Sequence, residues 1–254
     1  MQKKKQNTNN NSLSFIDKFW LFKNIYIDDD YSALKNYFFN LPINISKEDV
    51  NVIYKGRNTL YAVTEKEFKM IIKSFQIPHI INRLVYGVLR SSKAKRSFEL
   101  ARLLRRLGIG TPLPIAYYTQ RKGILFDKSY YACMVSKCEN TYEKVFELSA
   151  SDQERVMCKL ARVTARLHEN RILHKDYSKG NILFSVLEDG VIMDIIDLNR
   201  IRFCDIDIYK GCRNFERLRG TKAMFKILSK EYAKARGFDS EKCYELIIKY
   251  ATVL

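Results

Sequence analysis

Two short apolar runs, each ending beside a carboxylate, constrain this chain more tightly than any other stretch. In Ile172-Leu173-His174-Lys175-Asp176-Tyr177-Ser178-Lys179-Gly180-Asn181-Ile182-Leu183-Phe184, an aspartate precedes an asparagine by five residues and follows a histidine by two. The apolar residues behind Asn181 read as a strand, and a second apolar run, Ile195-Ile196, closes on Asp197. Singly, each side chain has an ordinary role: Asp176 capping a turn, Asn181 bonding local backbone, Asp197 ending a strand. Together they supply an aspartate that can accept a hydroxyl proton beside an amide and a carboxylate that can hold a divalent cation. That is the set phosphoryl transfer to an alcohol requires.

The bulk composition narrows the class further. A chain of 254 residues, 46% hydrophobic and 13% aromatic, buries a sizeable core as one large domain or two small lobes. Its net charge of +17 calls for an anionic partner: nucleic acid, an anionic membrane face or a phosphorylated ligand. Six cysteines without a Cys-x-x-Cys pair, and only three histidines, argue against a zinc site. Reduced cysteines of a cytoplasmic protein are the expectation. The opening Met1-Gln2-Lys3-Lys4-Lys5-Gln6 lacks the apolar core of a signal peptide, and no later run approaches the roughly 18 apolar residues of a membrane span.

In chain order, residues 1–12 form a polar tail and 13–47 an aromatic-rich extension expected to cap the next domain. Residues 50–54, 59–63 and 68–75 alternate as three strands, with Lys55-Gly56-Arg57-Asn58 as the first turn and Lys73 near the end of the third strand. Residues 80–107 read as a basic helix in which Glu99 stands among many cations. Gly108-Ile109-Gly110-Thr111-Pro112 ends it, and strands follow at 113–118, 123–126 and 130–136 before a polar break. A helix from Ser151, with Glu154 completing a capping box, leads into the Asp176 loop.

The order strand-lysine, helix-glutamate, strand and break, helix, His-x-Asp-x4-Asn, strand-aspartate is the order of a bilobal protein-kinase-like α+β fold. The small antiparallel-sheet lobe is expected over 48–137 and the mainly helical lobe over 138–254. Lys73, fixed by Glu99, would meet the ATP phosphates under the Gly56 turn, and Asn181 and Asp197 would hold Mg²⁺. The phosphate-covering turn has a single glycine, and Asn199 stands where protein kinases keep the glycine of Asp-Phe-Gly.

Lys175-Asp176-Tyr177-Ser178-Lys179-Gly180-Asn181, with Ile196-Asp197-Leu198-Asn199-Arg200, resembles the lipopolysaccharide kinases of the Kdo/WaaP type. Arg90-Ser91-Ser92-Lys93-Ala94-Lys95-Arg96-Ser97-Phe98-Glu99 before Gly108-Ile109-Gly110-Thr111-Pro112 is similar to them too, so the resemblance covers about 48–220. It implies ATP-dependent phosphorylation of a Kdo or heptose hydroxyl in the lipopolysaccharide inner core, at the cytoplasmic face of a Gram-negative inner membrane. Asp176 would be the base, Lys179 would stabilise the transferred phosphoryl group, and His174 would hold the loop's shape.

Only 57 residues follow Asp197, without the Ala-Pro-Glu of a peptide-binding activation segment. They open instead with Arg200, Arg202, Lys210, Arg213, Arg217, Arg219 and Lys222. This cationic segment suits an anionic glycolipid acceptor and peripheral contact with an anionic leaflet. No nucleic-acid recognition motif accompanies the charge. The alternatives are a compact atypical Ser/Thr protein kinase and, behind it, a pseudokinase scaffold.

Overall fold

In the computed structural model, described over residues 21–47, 50–77 and 91–254, the aromatic-rich segment enters the main sheet directly. The polar tail, the aromatics before residue 21, and residues 80–90 of the expected basic helix lie outside the described residues. Leu21–Ile27 (β1) pairs antiparallel with a later strand. Two short helices follow, Lys35–Phe39 (α1) and Leu41–Asn44 (α2). Their Leu34, Phe38, Leu41 and Ile45 pack with Met70, Ile72 and Tyr118 in the core of one face of the sheet. Strand β1 thus extends the sheet, and the segment from Leu34 to Ile45 covers one of its faces. Each large apolar side chain so buried stabilises the fold by about 1.5–3 kcal/mol relative to exposure.

The next strands are Asn51–Lys55 (β2), Thr59–Glu65 (β3) and Phe68–Ser74 (β4), then Pro114–Lys122 (β5) and Leu125–Met134 (β6) after the helix Lys93–Arg106 (α3). Among the described residues six strands form an antiparallel sheet in the order β1-β5-β6-β4-β3-β2. The three strands expected over 113–136 are two, because Asp127-Lys128-Ser129 continues β6 instead of turning. Polar residues there are tolerated by pairing: buried Gln120 donates to Asp127 at 2.8 Å and accepts from the Tyr118 hydroxyl at 2.7 Å. Helix α3 starts at Lys93, where Ser92 Oγ accepts from the Lys95 amide at 3.0 Å.

The second half is mainly helical. Asn140–Thr141 (β7) leads to Ala150–Glu169 (α4), then Ile172–His174 (β8), Ile182–Leu187 (β9), Gly190–Ile195 (β10) and Ile201–Phe203 (β11). Ile208–Arg213 (α5), Lys222–Arg236 (α6) and Ser240–Tyr250 (α7) complete it. Helix α4 begins one residue before the expected Ser151, and its cap is Ser149, which accepts from the Asp152 amide at 3.2 Å. The core of this half gathers Val156, Leu160 and Leu167 of α4, Phe184 and Ile195 of the β9–β10 hairpin, and Phe225 and Leu228 of α6. Leu100, Ala101 and Leu104 of α3 join that core, while Ala94 and Phe98 of the same helix pack on Phe75 and Tyr117 beside the sheet. One helix thus ties both halves together around the cleft between them.

Candidate active site

The Asp176 loop owes its shape to backbone bonds that leave its functional atoms outward. Ser178 N–H donates to Asp176 O at 2.9 Å and Asn181 N–H to Ser178 O at 2.9 Å. The Asn181 amide nitrogen donates back to Asp176 O at 2.8 Å, so its side-chain oxygen is the atom left for a cation. His174 is buried beneath the loop: its Nδ1 accepts from Asp176 N–H at 3.2 Å and its Nε2 donates to Ile196 O at 3.1 Å. Those two bonds select the neutral Nε2–H tautomer, and burial pushes the ring's pKa down in the same sense. The ring therefore joins the Asp176 loop to the backbone before Asp197. Asp197 itself sits in the left-handed region, φ 54° and ψ 53°, a conformation tolerated by aspartate that turns its carboxylate out of the strand line.

A cleft of about 510 Å³ lies between the halves, within the size range of small-ligand sites. Leu60 and Ile71 of the sheet, Met134 at the end of β6 and Ser136 just beyond it line the cleft together with Lys73, Asn181 and Asp197. Lys73 Nζ lies 2.6 Å from Asp197 Oδ1. At the polar break after β6, Ser136 Oγ donates to Asp194 Oδ2 at 2.6 Å and accepts from Cys138 N–H at 3.0 Å. This fixes the strand exit beside the cleft.

Among the described residues Glu99 lies on the expected helix, but no ion pair joins it to Lys73. Its carboxylate, 56% exposed, pairs with Lys95 at 3.6 Å on the outer face of α3. The buried face of α3 carries Ala94, Ser97, Phe98 and Ala101, and Glu99 falls off that stripe. Ser97 takes the inward position and accepts from Asn199 Nδ2 at 2.7 Å. Arg96 of the same helix donates to Ile201 O. The Asn199 that departs from Asp-Phe-Gly is therefore a fastener between α3 and the Asp197 turn. Gly56 sits at the β2–β3 turn, donating to Asn58 O at 3.1 Å, and it is Arg57 and Asn58 that reach the cleft.

Asp176 faces a second cavity of about 350 Å³, walled by Arg57, Lys93, Arg96, Asn199 and Arg200. Arg217 pairs with its Oδ1, and Arg200 Nε lies 3.6 Å from its Oδ2. Lys179, by contrast, pairs with Glu143. Sequence reasoning marked Arg200 and Arg217 only as parts of a cationic segment, since nothing local predicts a contact across 41 residues. It missed entirely the buried support beneath the loop. His168 Nε2 donates to Asn214 Oδ1 at 2.9 Å, Tyr232 donates to His168 Nδ1 at 2.8 Å, and Asn214 Nδ2 donates to His174 O at 2.9 Å.

Asn181 and Asp197 offer one amide oxygen and one carboxylate. Such a sparse, hard set suits Mg²⁺, which keeps most of its sphere for water and phosphate oxygens. The model of the lipopolysaccharide kinase (Kdo/WaaP) family matches residues 46–233. The 3-deoxy-D-manno-octulosonic acid kinase of Vibrio vulnificus strain YJ016 is 25% identical over 146 residues, 55% of this chain and 60% of that protein. The protein of the same description from strain CMCP6 matches to the same extent. The matched stretch thus spans about 60% of the length of these curated relatives. Among solved structures, WaaP in complex with acyl carrier protein aligns with a TM-score of 0.58 over 89% of this chain and 97% of that one, at 14% identity. That likeness speaks to the fold, which is the bilobal protein-kinase-like α+β fold. With the family model covering everything from the β2–β3 turn through the Asp197 strand to α6, this chain belongs to the lipopolysaccharide kinase (Kdo/WaaP) family.

Proposed function

We propose that this chain transfers the γ-phosphoryl group of ATP to a sugar hydroxyl, Kdo or heptose, of the lipopolysaccharide inner core. The observation that carries this reading is convergence: Lys73, Asn181 and Asp197 line one cleft, and Asp176 opens on the cavity beside it. Asp176 accepts the acceptor's hydroxyl proton as the new O–P bond forms, and the bond to the β–γ bridging oxygen breaks to release ADP. Lys73 neutralises charge on the ATP phosphates. Asn181 and Asp197 would hold Mg²⁺, which when bound supplies further charge neutralisation at the phosphates. Ser136 and Met134, which line the cleft, would frame the adenine end, and Lys179, once released from Glu143, would stabilise the transferred phosphoryl group. The +17 charge supports a peripheral position on the cytoplasmic face of the inner membrane. Among the described residues no helix is long and apolar enough to cross a membrane.

The test is γ-phosphate transfer from ATP with Mg²⁺ to purified lipopolysaccharide core, with a generic protein substrate alongside and Asp176→Ala as control. Label on the glycolipid should fall by about 10²–10⁴-fold in the variant, the usual contribution of a positioned base. Label on the protein alone would favour an atypical protein kinase. Absence of both label and ATP binding would leave a scaffold.

A further inference from the structure

The cavity in front of Asp176 is cationic beyond what its own carboxylates balance. It meets the ATP cleft at Arg57, Asn58, Asp197 and Asn199, which line both, whereas Asp176 opens on the second cavity alone. An acceptor hydroxyl that reaches Asp176 must therefore sit here. Asp197 is already paired with Lys73, and Asp176 with two guanidiniums. Arg57 and Arg96 add further positive charge to the wall. A neutral sugar would leave that charge uncompensated as water is displaced.

The two guanidiniums on Asp176 also stand in the way of its chemistry, because Arg217 occupies one carboxylate oxygen and Arg200 approaches the other. A base so engaged has few lone pairs left for a hydroxyl proton. Both arginines are about half exposed, Arg217 at 49% and Arg200 at 55%, so their long arms can turn without disturbing packed core. A guanidinium exchanges one oxyanion for another readily, since carboxylate and phosphate both match its planar fork. We infer that Arg217 and Arg200 form a subsite for an oxyanion of the acceptor, a carboxylate or phosphate near the reacting hydroxyl, and that binding it frees Asp176. The inference rests on Asp176 being the base. It makes the two arginines specificity-determining and couples release of the base to arrival of the correct acceptor.

Ligand-observed NMR titration of the full chain, with Mg²⁺ and a non-hydrolysable ATP analogue, tests it with two matched pairs. One pair is 3-deoxy-D-manno-octulosonic acid and its methyl ester; the other is glucose 6-phosphate and glucose. At least one anion should bind about tenfold tighter than its neutral partner, a difference of ~1.4 kcal/mol. Preference confined to the first pair identifies a carboxylate, and preference confined to the second a phosphate. Arg217→Gln and Arg200→Gln should each bring the ratio close to one, and Arg217→Lys should retain part of it. No preference in the unmodified chain, or a preference surviving both glutamine substitutions, overturns the subsite. Phosphoryl transfer is scored separately: anion preference without transfer keeps the subsite and sinks the kinase reading, and transfer without preference does the reverse.

Discussion

Lys73 lies 2.6 Å from Asp197 and, among the described residues, Glu99 pairs with Lys95, so Lys73, proposed to meet the ATP phosphates, takes its position from the carboxylate proposed to hold the metal. The Lys73 ammonium also lies over the Phe75 ring at 5.6 Å, which limits its swing. Removing Glu99 should then cost little. Glu99→Gln loses one exposed i,i+4 pair, about 0.3–0.5 kcal/mol, and turnover should stay within about twofold of the unmodified protein. Lys73→Met removes the cation proposed to neutralise developing phosphate charge and should lower turnover by about 10²-fold or more. Initial rates on ATP and acceptor decide this, and a Glu99→Gln rate as low as that of Lys73→Met would mean that a Lys73–Glu99 pair forms once ATP is bound. At this scale the sequence was legible in the convergence of residues spaced along one segment, as for Asp176, Asn181 and Asp197 on adjoining cavities. It was illegible where partners lie far apart, as for Asn199 and Ser97, separated by 102 residues. No periodicity or spacing encodes such a contact; only the folded register does.

Helices α4 and α6 meet beneath the Asp176 loop through His168 and Tyr232, and Asn214 carries that contact to His174 O. Both nitrogens of the His168 ring are satisfied in the neutral form, with Nε2 donating and Nδ1 accepting. Burial accordingly pushes its pKa down to about 4 from 6.5. The unfolded chain binds a proton at His168 below 6.5 while the native chain resists it down to about 4. Stability is therefore fully present above 6.5 and is lost as pH falls through that window. From His168 alone, lowering pH from 8 to 5 should cost about 2 kcal/mol, and buried His174 is shifted in the same direction. Urea unfolding at the two pH values measures it, and His168→Gln should flatten the dependence. An unchanged slope in that variant would show that His168 protonates freely in the native state. Patterning alone found most elements near this site, since apolar alternation and helical spacing are local properties. It broke β6 at Asp127-Lys128-Ser129, because a cross-strand partner such as Gln120 cannot be seen in a local polar run.

Beside the Lys73–Asp197 and Ser136–Asp194 contacts, α3 and a glycine just beyond it help to join the two halves of the molecule. Gly108, at φ +67°, ends α3, and Ile109 N–H returns to Leu104 O at 2.9 Å. Two residues on, Gly110 O accepts from Ile195 N–H at 2.8 Å, so the chain leaving α3 is stitched to the last residue of β10. A Cβ on Gly110 would lie 1.8 Å from Met193 O, a backbone atom with no flexible side chain to yield. Gly110→Ala must therefore push β10 away from the α3 exit, and Asp197 follows β10 by only two residues. The carboxylate moves relative to Lys73 on the sheet, so damage reaches the cleft without touching any residue that lines it. Overpacking of this kind costs about 1–3 kcal/mol of stability. A displacement near 1 Å at the reacting groups costs about 10²-fold in rate. The expected result is a folded protein, melting several degrees lower, that still binds ATP but turns over far more slowly. Melting and turnover equal to the unmodified protein would show that the joint accommodates a methyl group and that Asp197 is positioned independently of α3. Normal turnover with a lowered melting temperature would separate the two, making Gly110 a folding requirement alone.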